Sequence, residues 1–124
     1  MALPNIDEVP QVELAEDGQH EIEIVRAVEF TSQNGNTLWR LGLRITDVDT
    51  APDMNEILMV NPEEMDDPRK QAQAGTKLRK FAQSFGLDGG EEAADVVGAV
   101  GNAIIGSKDD EYRGERVNYV KAYV

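Results

Sequence analysis

The chain has 124 residues, the length of a single domain with one hydrophobic core. Its 24 acidic and 12 basic residues give a net charge of -12, which excludes a simple basic nucleic-acid coat protein. No cysteine is present and His20 is the single histidine, so disulfides, thiol nucleophiles and histidine clusters are excluded. Residues 1–11 lack the pattern of a signal peptide, and no stretch is apolar enough to span a membrane. We expect a cytoplasmic protein that does not contact membranes.

Charge is unevenly distributed along the chain. Of the 24 acids, 16 lie in residues 1–67, together with only 3 of the 12 bases. Residues 1–17 hold five acids and no base, which predicts an extended or loosely tethered leader before a single domain of residues 18–124. Residues 68–87 contain no acid and five bases: Arg69, Lys70, Lys77, Arg79 and Lys80. This basic run is either a solvated helix face or a patch that contacts phosphates.

Alternation of apolar and acidic residues predicts the first strand. It begins at Gln19 and reaches Phe30, with the apolar residues on one face. Arg26 interrupts that face, which indicates a bulge or strong bend midway along the strand. The dipeptide Asn34-Gly35 favours the positive φ angles of a tight hairpin turn, so a second strand is expected directly after it.

The second strand is the clearest in the sequence, because residues 39–45 alternate strictly. One face carries the apolar side chains of Trp39, Leu41, Leu43 and Ile45. Arg40, Gly42 and Arg44 share the opposite face. Trp39 is therefore predicted to be buried and not to serve as a platform for bases. Residues 56–60 are short and apolar enough for a third strand.

After the third strand the spacing of apolar residues becomes helical. Residues 68–85 predict a helix that ends at Gly86 and has one apolar face: Leu78, Phe81, Ala82 and Phe85. Residues 91–97 predict a short helix with acids in its first turn. Residues 100–106 and 116–124 predict the fourth and fifth strands, joined by a polar loop.

The order of these elements predicts the fold class. Three strands, a helix and a closing hairpin, with a bent first strand, describe a mainly β protein: a five-stranded OB-fold-like barrel with its main helix between the third and fourth strands. Short connections between antiparallel strands make this wiring favourable. The alternative is an open antiparallel sheet with one helix on its face.

The closing segment EYRGERVNYV (111–120), followed by Tyr123, resembles the C-terminal hairpin of a family of small phage proteins grouped with phage single-stranded DNA-binding proteins. The resemblance covers roughly residues 18–123. Other segments agree in order and spacing: TSQNGN (31–36) at the end of the first strand, KLRKF (77–81), FGL (85–87) and VG (97–98). The resemblance implies an OB-fold that binds single-stranded DNA in the cytoplasm of a bacterial host, with phage replication or recombination proteins as further partners. The chain ends in KAYV instead of the acidic partner-recruiting tail of bacterial single-stranded DNA-binding proteins, and only the leader could replace that tail.

Single-stranded nucleic acid is bound by a basic groove and by flat side chains on which bases stack. Arg40 and Arg44 are predicted to face outward on the strand that OB-folds most often use for binding. Tyr119, Lys121 and Tyr123 share one parity on the fifth strand and would form an aromatic and basic stripe. In the alternative arrangement the tyrosines belong to the core and Lys121 extends past them to solvent.

Two further groups complete the candidate nucleic-acid site. Tyr112 and Arg113 lie at the tip of the last hairpin, in a loop that commonly holds ligand in this fold. Lys77 and Lys80 on the helix could extend the basic track, although we expect the helix chiefly to plug the barrel.

No enzymatic motif is found in the sequence. Residues 47–53 begin like a calcium loop, but Pro52 and Asp53 replace its glycine turn and Leu58 stands where the bidentate glutamate belongs. No phosphate-binding loop or nucleophile set is present, so we expect neither catalysis nor a cofactor or metal. The sequence thus predicts a non-enzymatic single-stranded DNA-binding protein and leaves self-association open. The alternative is an acidic interaction module or DNA mimic that binds a basic protein.

Overall fold

The computed structural model describes residues 1–112 and 114–124. Its five strands are β1 (Gly18–Thr31), β2 (Thr37–Ile45), β3 (Met54–Met59), β4 (Val100–Asp109) and β5 (Arg116–Tyr123). All pairs are antiparallel, in the order β3-β2-β1-β4-β5, and the sheet curls into a nearly closed barrel. Helix α1 (Pro68–Phe85) lies between β3 and β4 along the chain. The predicted OB-fold-like barrel is confirmed, and the open sheet is wrong.

A bulge in β1 allows this one strand to serve both halves of the barrel. Residues 18–23 of β1 pair with β4, and residues 22–31 pair with β2. The register with β2 shifts between Ile24 and Arg26, so that Val25 is the extra residue. The break that the sequence predicted at Arg26 is therefore confirmed. It leaves Arg26 on the outer side of the barrel, together with Val28 and Phe30. The expectation that Val28 and Phe30 continue the inner face of Ile22 and Ile24 is therefore wrong.

The β1–β2 hairpin is closed by a slightly longer turn than the sequence predicted. The amide of Gly35 donates to the carbonyl of Ser32 at 3.0 Å, and the amide of Ser32 donates to the carbonyl of Asn36 at 2.9 Å. Gly35 has a φ of 82°, whereas no described residue other than glycine has a positive φ. This is a three-residue loop in which a turn is followed by one left-handed glycine. The sequence predicted positive φ angles at both Asn34 and Gly35; this is confirmed for Gly35 and wrong for Asn34.

The inward faces of the strands form one hydrophobic core. Trp39 is 8% exposed, as its parity predicted, and its indole N–H donates to the carboxylate of Glu29 at 3.1 Å. Four strands contribute fully buried aliphatic side chains, and Val96 adds one from outside the sheet: Ile22, Ile24, Leu41, Leu43, Ile45, Leu58, Val96 and Ile105. Their burial supplies the main stabilisation of the barrel.

Helix α1 closes one end of the barrel. It begins at the predicted residue because Asp67 accepts a hydrogen bond from the amide of Arg69 and Pro68 fits the first turn, and it stops at Gly86 with a φ of 67°. Phe81 and Phe85 are buried on its inner face. The residues predicted as a second short helix form a 3-10 helix, Ala93–Val96.

The leader is exposed through residue 13 and is fixed to the barrel further on. Ala15 is 3% exposed, and its amide donates to Oδ1 of Asn118 at 2.9 Å. The amide nitrogen of the Asn118 side chain donates to the carbonyls of Ala15 and Gly106, both at 3.1 Å. A second attachment lies close by in sequence, at His20. The end of the leader is therefore ordered by specific hydrogen bonds.

The His20 ring is held between two acceptors, and this makes the second attachment pH-dependent. Its Nδ1 lies 2.8 Å from Oδ1 of Asp47, and its Nε2 lies 2.6 Å from the carbonyl of Glu16. Both nitrogens can donate only in the protonated ring. Burial lowers the pKa of His20, but the hydrogen bonds to Glu16 and Asp47 outweigh burial and raise the pKa above 6.5.

We expect the stability that His20 contributes to depend on pH. Because the pKa is raised by folding, the contribution is fully present below pH 6.5 and is lost as the pH rises through the folded value. Thermal unfolding at a series of pH values, with His20→Gln as the comparison, measures it. The difference in stability between the two proteins should shrink toward alkaline pH; a difference that grows would contradict the donor assignment.

Candidate nucleic-acid interface

The outer side of β1, β2 and β3 carries the arginines of the first half of the chain. The strand register places Val28, Arg40 and Ile57 in one row across the three strands, and Arg26, Gly42 and Asn55 in the next. We call this surface the arginine face, and it consists of Arg26, Val28, Phe30, Arg40, Arg44 and Ile57.

Arg40 is the centre of the arginine face. Its guanidinium carbon lies 4.9 Å from the centroid of the Phe30 ring, and Val28 and Ile57 beside it are 52% and 50% exposed. Among the described residues, no carboxylate lies within ion-pairing distance of Arg40. The guanidinium is therefore available to a phosphate, while the apolar side chains around it offer contact area for a base.

Arg44 also faces outward, as predicted, but it already has a partner. Its Nε donates to Oδ1 of Asp53 and its Nη2 donates to Oδ2, both at 3.1 Å. The hydrogen bond to Asp53 and the charge of that carboxylate raise the pKa of Arg44, and the charge of Glu23, opposite Arg44 on β1, adds to the effect. Asp53 neutralises Arg44 and Glu23 adds a negative charge, so Arg44 attracts a phosphate less than Arg40 does.

A second basic and aromatic surface lies on the outer side of β4 and β5. We call it the tyrosine patch, and it consists of Lys108, Tyr119 and Lys121. The Lys108 ammonium nitrogen lies 4.8 Å from the centroid of the Tyr119 ring. Gly106 lies beneath Tyr119 and Lys121, where a Cβ would stand 2.5 Å from Cε of Lys121 and 3.0 Å from the tyrosine ring. The glycine thus allows both side chains to lie against the strand.

Tyr123 belongs to the core, which corrects the expectation that it faces solvent with Tyr119. It is 4% exposed and packs edge-on against Phe81, with the ring centroids 5.2 Å apart. Burial, with a smaller contribution from the charge of Glu56, raises its pKa strongly. The cause is a bulge: Ile104 pairs with Ala122 and Ile105 with Val120, which leaves Lys121 as the extra residue and reverses the parity.

The β4–β5 loop borders a cavity of 730 Å³ between the leader, the start of β3 and the loop. Tyr112, in the loop, is 99% exposed. Arg113, predicted beside it as a ligand contact, lies outside the described residues. Charged side chains of both signs line the cavity, among them Asp53, Glu56, Lys108, Asp109 and Arg116.

Side chains connect β3 to β5 and to α1. The amide of Val120 donates to Oε1 of Glu56 at 2.7 Å, and the ammonium of Lys77 donates to the carbonyl of Ile57 at 3.2 Å. Lys77 is therefore bound at the edge of the arginine face. Lys80 is exposed on α1, as are the remaining helix bases, Arg69, Lys70 and Arg79.

The sequence does not predict five members of the two surfaces: Arg26, Val28, Phe30, Ile57 and Lys108. The sequence predicts Arg26 only as a break in the strand, because the apolar parity of Ile22 and Ile24 was continued to Val28 and Phe30; the bulge at Val25 reverses that parity and turns Arg26 and Val28 outward. Lys108 was assigned to a loop because β4 is three residues longer than predicted. The role of Asp53 as the partner of Arg44 has no local signal, since the two residues meet across β2 and β3.

The fold and these surfaces together define a class: an OB-like barrel whose first three strands carry arginine and apolar side chains on their outer face. No protein-family model matches the sequence, and no curated protein matches it. Within residues 1–112 and 114–124, no group of three or more acidic or histidine side chains is arranged to hold a metal ion. The described part of the chain also contains no helix that is long and apolar enough to cross a membrane.

Proposed function

We propose that the protein binds single-stranded DNA, without catalysing a reaction, through the arginine face. The observation that carries the proposal is the arrangement around Arg40: an exposed guanidinium that no described carboxylate pairs with, against Phe30 and between two half-exposed aliphatic side chains. A phosphate would pair with the guanidinium. An unpaired base would contact Phe30 and the aliphatic surface, at about 1 to 3 kcal/mol for each stacked base.

The tyrosine patch supplies a second contact on the same path. The hydrogen bond between Val120 and Glu56 brings β5 alongside β3, so Tyr119 and Ile57 lie on either side of the gap between these strands. A single strand that leaves Arg40 over Ile57 would therefore reach Tyr119 and the two lysines beside it. These three residues combine an aromatic ring with two charges, as binding to an unpaired strand requires.

The overall charge determines how the complex should respond to salt. A net charge of -12 opposes the approach of DNA, so affinity depends on the local cations of the two surfaces. Each phosphate contact releases counterions, and binding should therefore weaken steeply as salt increases. The resemblance to phage single-stranded DNA-binding proteins supports a role in holding displaced strands during replication or recombination in a bacterial host.

Replacing Arg40 with alanine tests the site. We expect Arg40→Ala to weaken binding to a fluorescent single-stranded oligonucleotide by about 1 to 3 kcal/mol and to reduce the salt slope by about one phosphate contact. Fluorescence anisotropy at several salt concentrations measures both quantities. The unfolding transition should stay unchanged because the side chain is exposed.

Arg79→Ala is the matched control. This variant removes the same charge as Arg40→Ala. Arg79 lies on the side of α1 opposite Lys77, and Lys77 is the helix base that contacts β3, so Arg79 points away from the arginine face. Its removal should change affinity much less than that of Arg40. Equal binding of single-stranded and duplex DNA would refute the stacking argument. Absence of binding at low salt would refute the proposed function and favour the acidic interaction module that binds a basic protein.

A further inference from the structure

A cavity lies on the arginine face beside Gly42. Its volume is 450 Å³, and its lining residues are Val25, Arg26, Gly42, Arg44, Asp53 and Asn55. Gly42 forms the floor; a Cβ there would stand 3.2 Å from Cβ of Arg26. The walls are polar, since Arg26 donates to Oδ1 of Asn55 at 3.1 Å and Arg44 is paired with Asp53. The cavity is thus open to a flat, polar group.

The Arg44–Asp53 pair uses only one edge of the guanidinium. Nε and Nη2 each donate to one carboxylate oxygen at 3.1 Å, which fixes the plane of the group. The other edge, formed by Nη1 and the second N–H of Nη2, makes no hydrogen bond within residues 1–112 and 114–124. Two parallel N–H donors are therefore held in a fixed direction beside the cavity.

A phosphate is a poor ligand for this fork. The carboxylate of Asp53 cancels the charge of Arg44 and would repel a phosphate placed next to it. A neutral base avoids that repulsion while still using the two donors. The fork needs two adjacent acceptors, and guanine presents them at O6 and N7. Cytosine presents them at N3 and O2, whereas adenine and thymine have no two adjacent acceptors.

We propose that Arg44 reads bases with two adjacent acceptors, guanine or cytosine, and that Asp53 is a positioning residue that holds the Arg44 guanidinium in place. This inference rests on the proposed function, because it assigns a base preference to the same face. Arg40 then supplies affinity for any sequence, and Arg44 supplies discrimination among sequences.

Oligonucleotides of one length measure the preference directly. We compare oligo-dT with oligo-dT that carries separated dG, dC or dA substitutions, by anisotropy at one salt concentration. We expect the dG or the dC series to bind about tenfold more tightly than the dA series, as one bidentate arginine contact allows. Replacing dG with 7-deaza-dG removes N7 and separates guanine recognition from cytosine recognition. If Arg44 reads guanine at O6 and N7, the tighter binding of the dG series is lost. If Arg44 reads cytosine, the tighter binding of the dC series is unaffected because that series contains no guanine.

Variants of Arg44 and Asp53 separate base recognition from the effect of charge on affinity. Arg44→Lys retains the charge and removes the fork, so the affinity ratio between the dG or dC series and the dA series should fall to about one. Asp53→Ala should raise affinity for oligo-dT, because a negative charge is lost from the face, and should reduce the preference. Asp49→Ala, in the β2–β3 turn outside the cavity, loses the same charge and should keep the preference; a merely structural role for Asp53 would not produce this divergence.

Two results would overturn the inference while leaving the proposed function in place. One is equal affinity of the wild-type protein for all four series, and the other is a preference that persists in Arg44→Lys. Failure of the wild-type protein to bind any of the oligonucleotides is a different result, which refutes the proposed function itself.

Discussion

Phe81→Ala should lower the free energy of unfolding by about 3 to 5 kcal/mol. Phe81 is 1% exposed, and its ring lies 4.9 Å from the ring of Phe85 and 5.2 Å from that of Tyr123, measured between centroids. Removal of the ring leaves a cavity where α1 meets the end of the barrel and removes both aromatic contacts. Urea or thermal unfolding, followed by circular dichroism, measures the loss.

Lys80→Gln is the matched control one residue away on the same helix. Lys80 is exposed, and glutamine is nearly as good a helix former as lysine, so stability should hardly change. If Lys80 contacts phosphate, the same variant will bind single-stranded DNA less tightly. A loss for Phe81→Ala no larger than that for Lys80→Gln would contradict the role of α1 as a plug for the barrel.

Features of the fold with local causes could be predicted from the sequence. Helix α1 has the predicted ends because its start at Asp67-Pro68 and its stop at Gly86 depend on hydrogen bonds and backbone angles within a few residues. The ends of β3 and β4 were less accurate. A strand ends where its partner ceases to pair with it, and that partner is distant in the sequence.

Some residues of the candidate site could likewise be predicted from the sequence, and others could not. Arg40 and Arg44 face outward as strict alternation on β2 predicted, because the side-chain period of an uninterrupted strand is two. The same reasoning failed for Tyr123, since the bulge at Lys121 arises from pairing with β4 and has no mark in the sequence of β5. Alternation predicts which face of a strand is exposed. A bulge, or a cross-strand partner such as Asp53, can be identified only once the strands are paired in the sheet.

Asn118→Leu should destabilise the protein by about 2 to 4 kcal/mol and release the end of the leader. Asn118 is 7% exposed, and its side chain satisfies the amide and carbonyl of Ala15 and the carbonyl of Gly106. Leucine has a similar size but no polar group, so these backbone groups would be left buried without partners. Chemical unfolding measures the loss of stability, and cleavage by a glutamate-specific protease at Glu16 reports the release of the leader.

Asn102→Ala, on the neighbouring strand β4, distinguishes this effect from the general cost of altering a strand asparagine. The Asn102 side chain is exposed and makes no hydrogen bond within the described residues; only its backbone bonds to Ser84 and Val124. It should lose well under 1 kcal/mol and leave the leader protected. Faster cleavage in Asn118→Leu than in Asn102→Ala would show that one buried amide fixes the acidic leader to the barrel. Equal cleavage in the two variants would mean that the His20 attachment alone is sufficient.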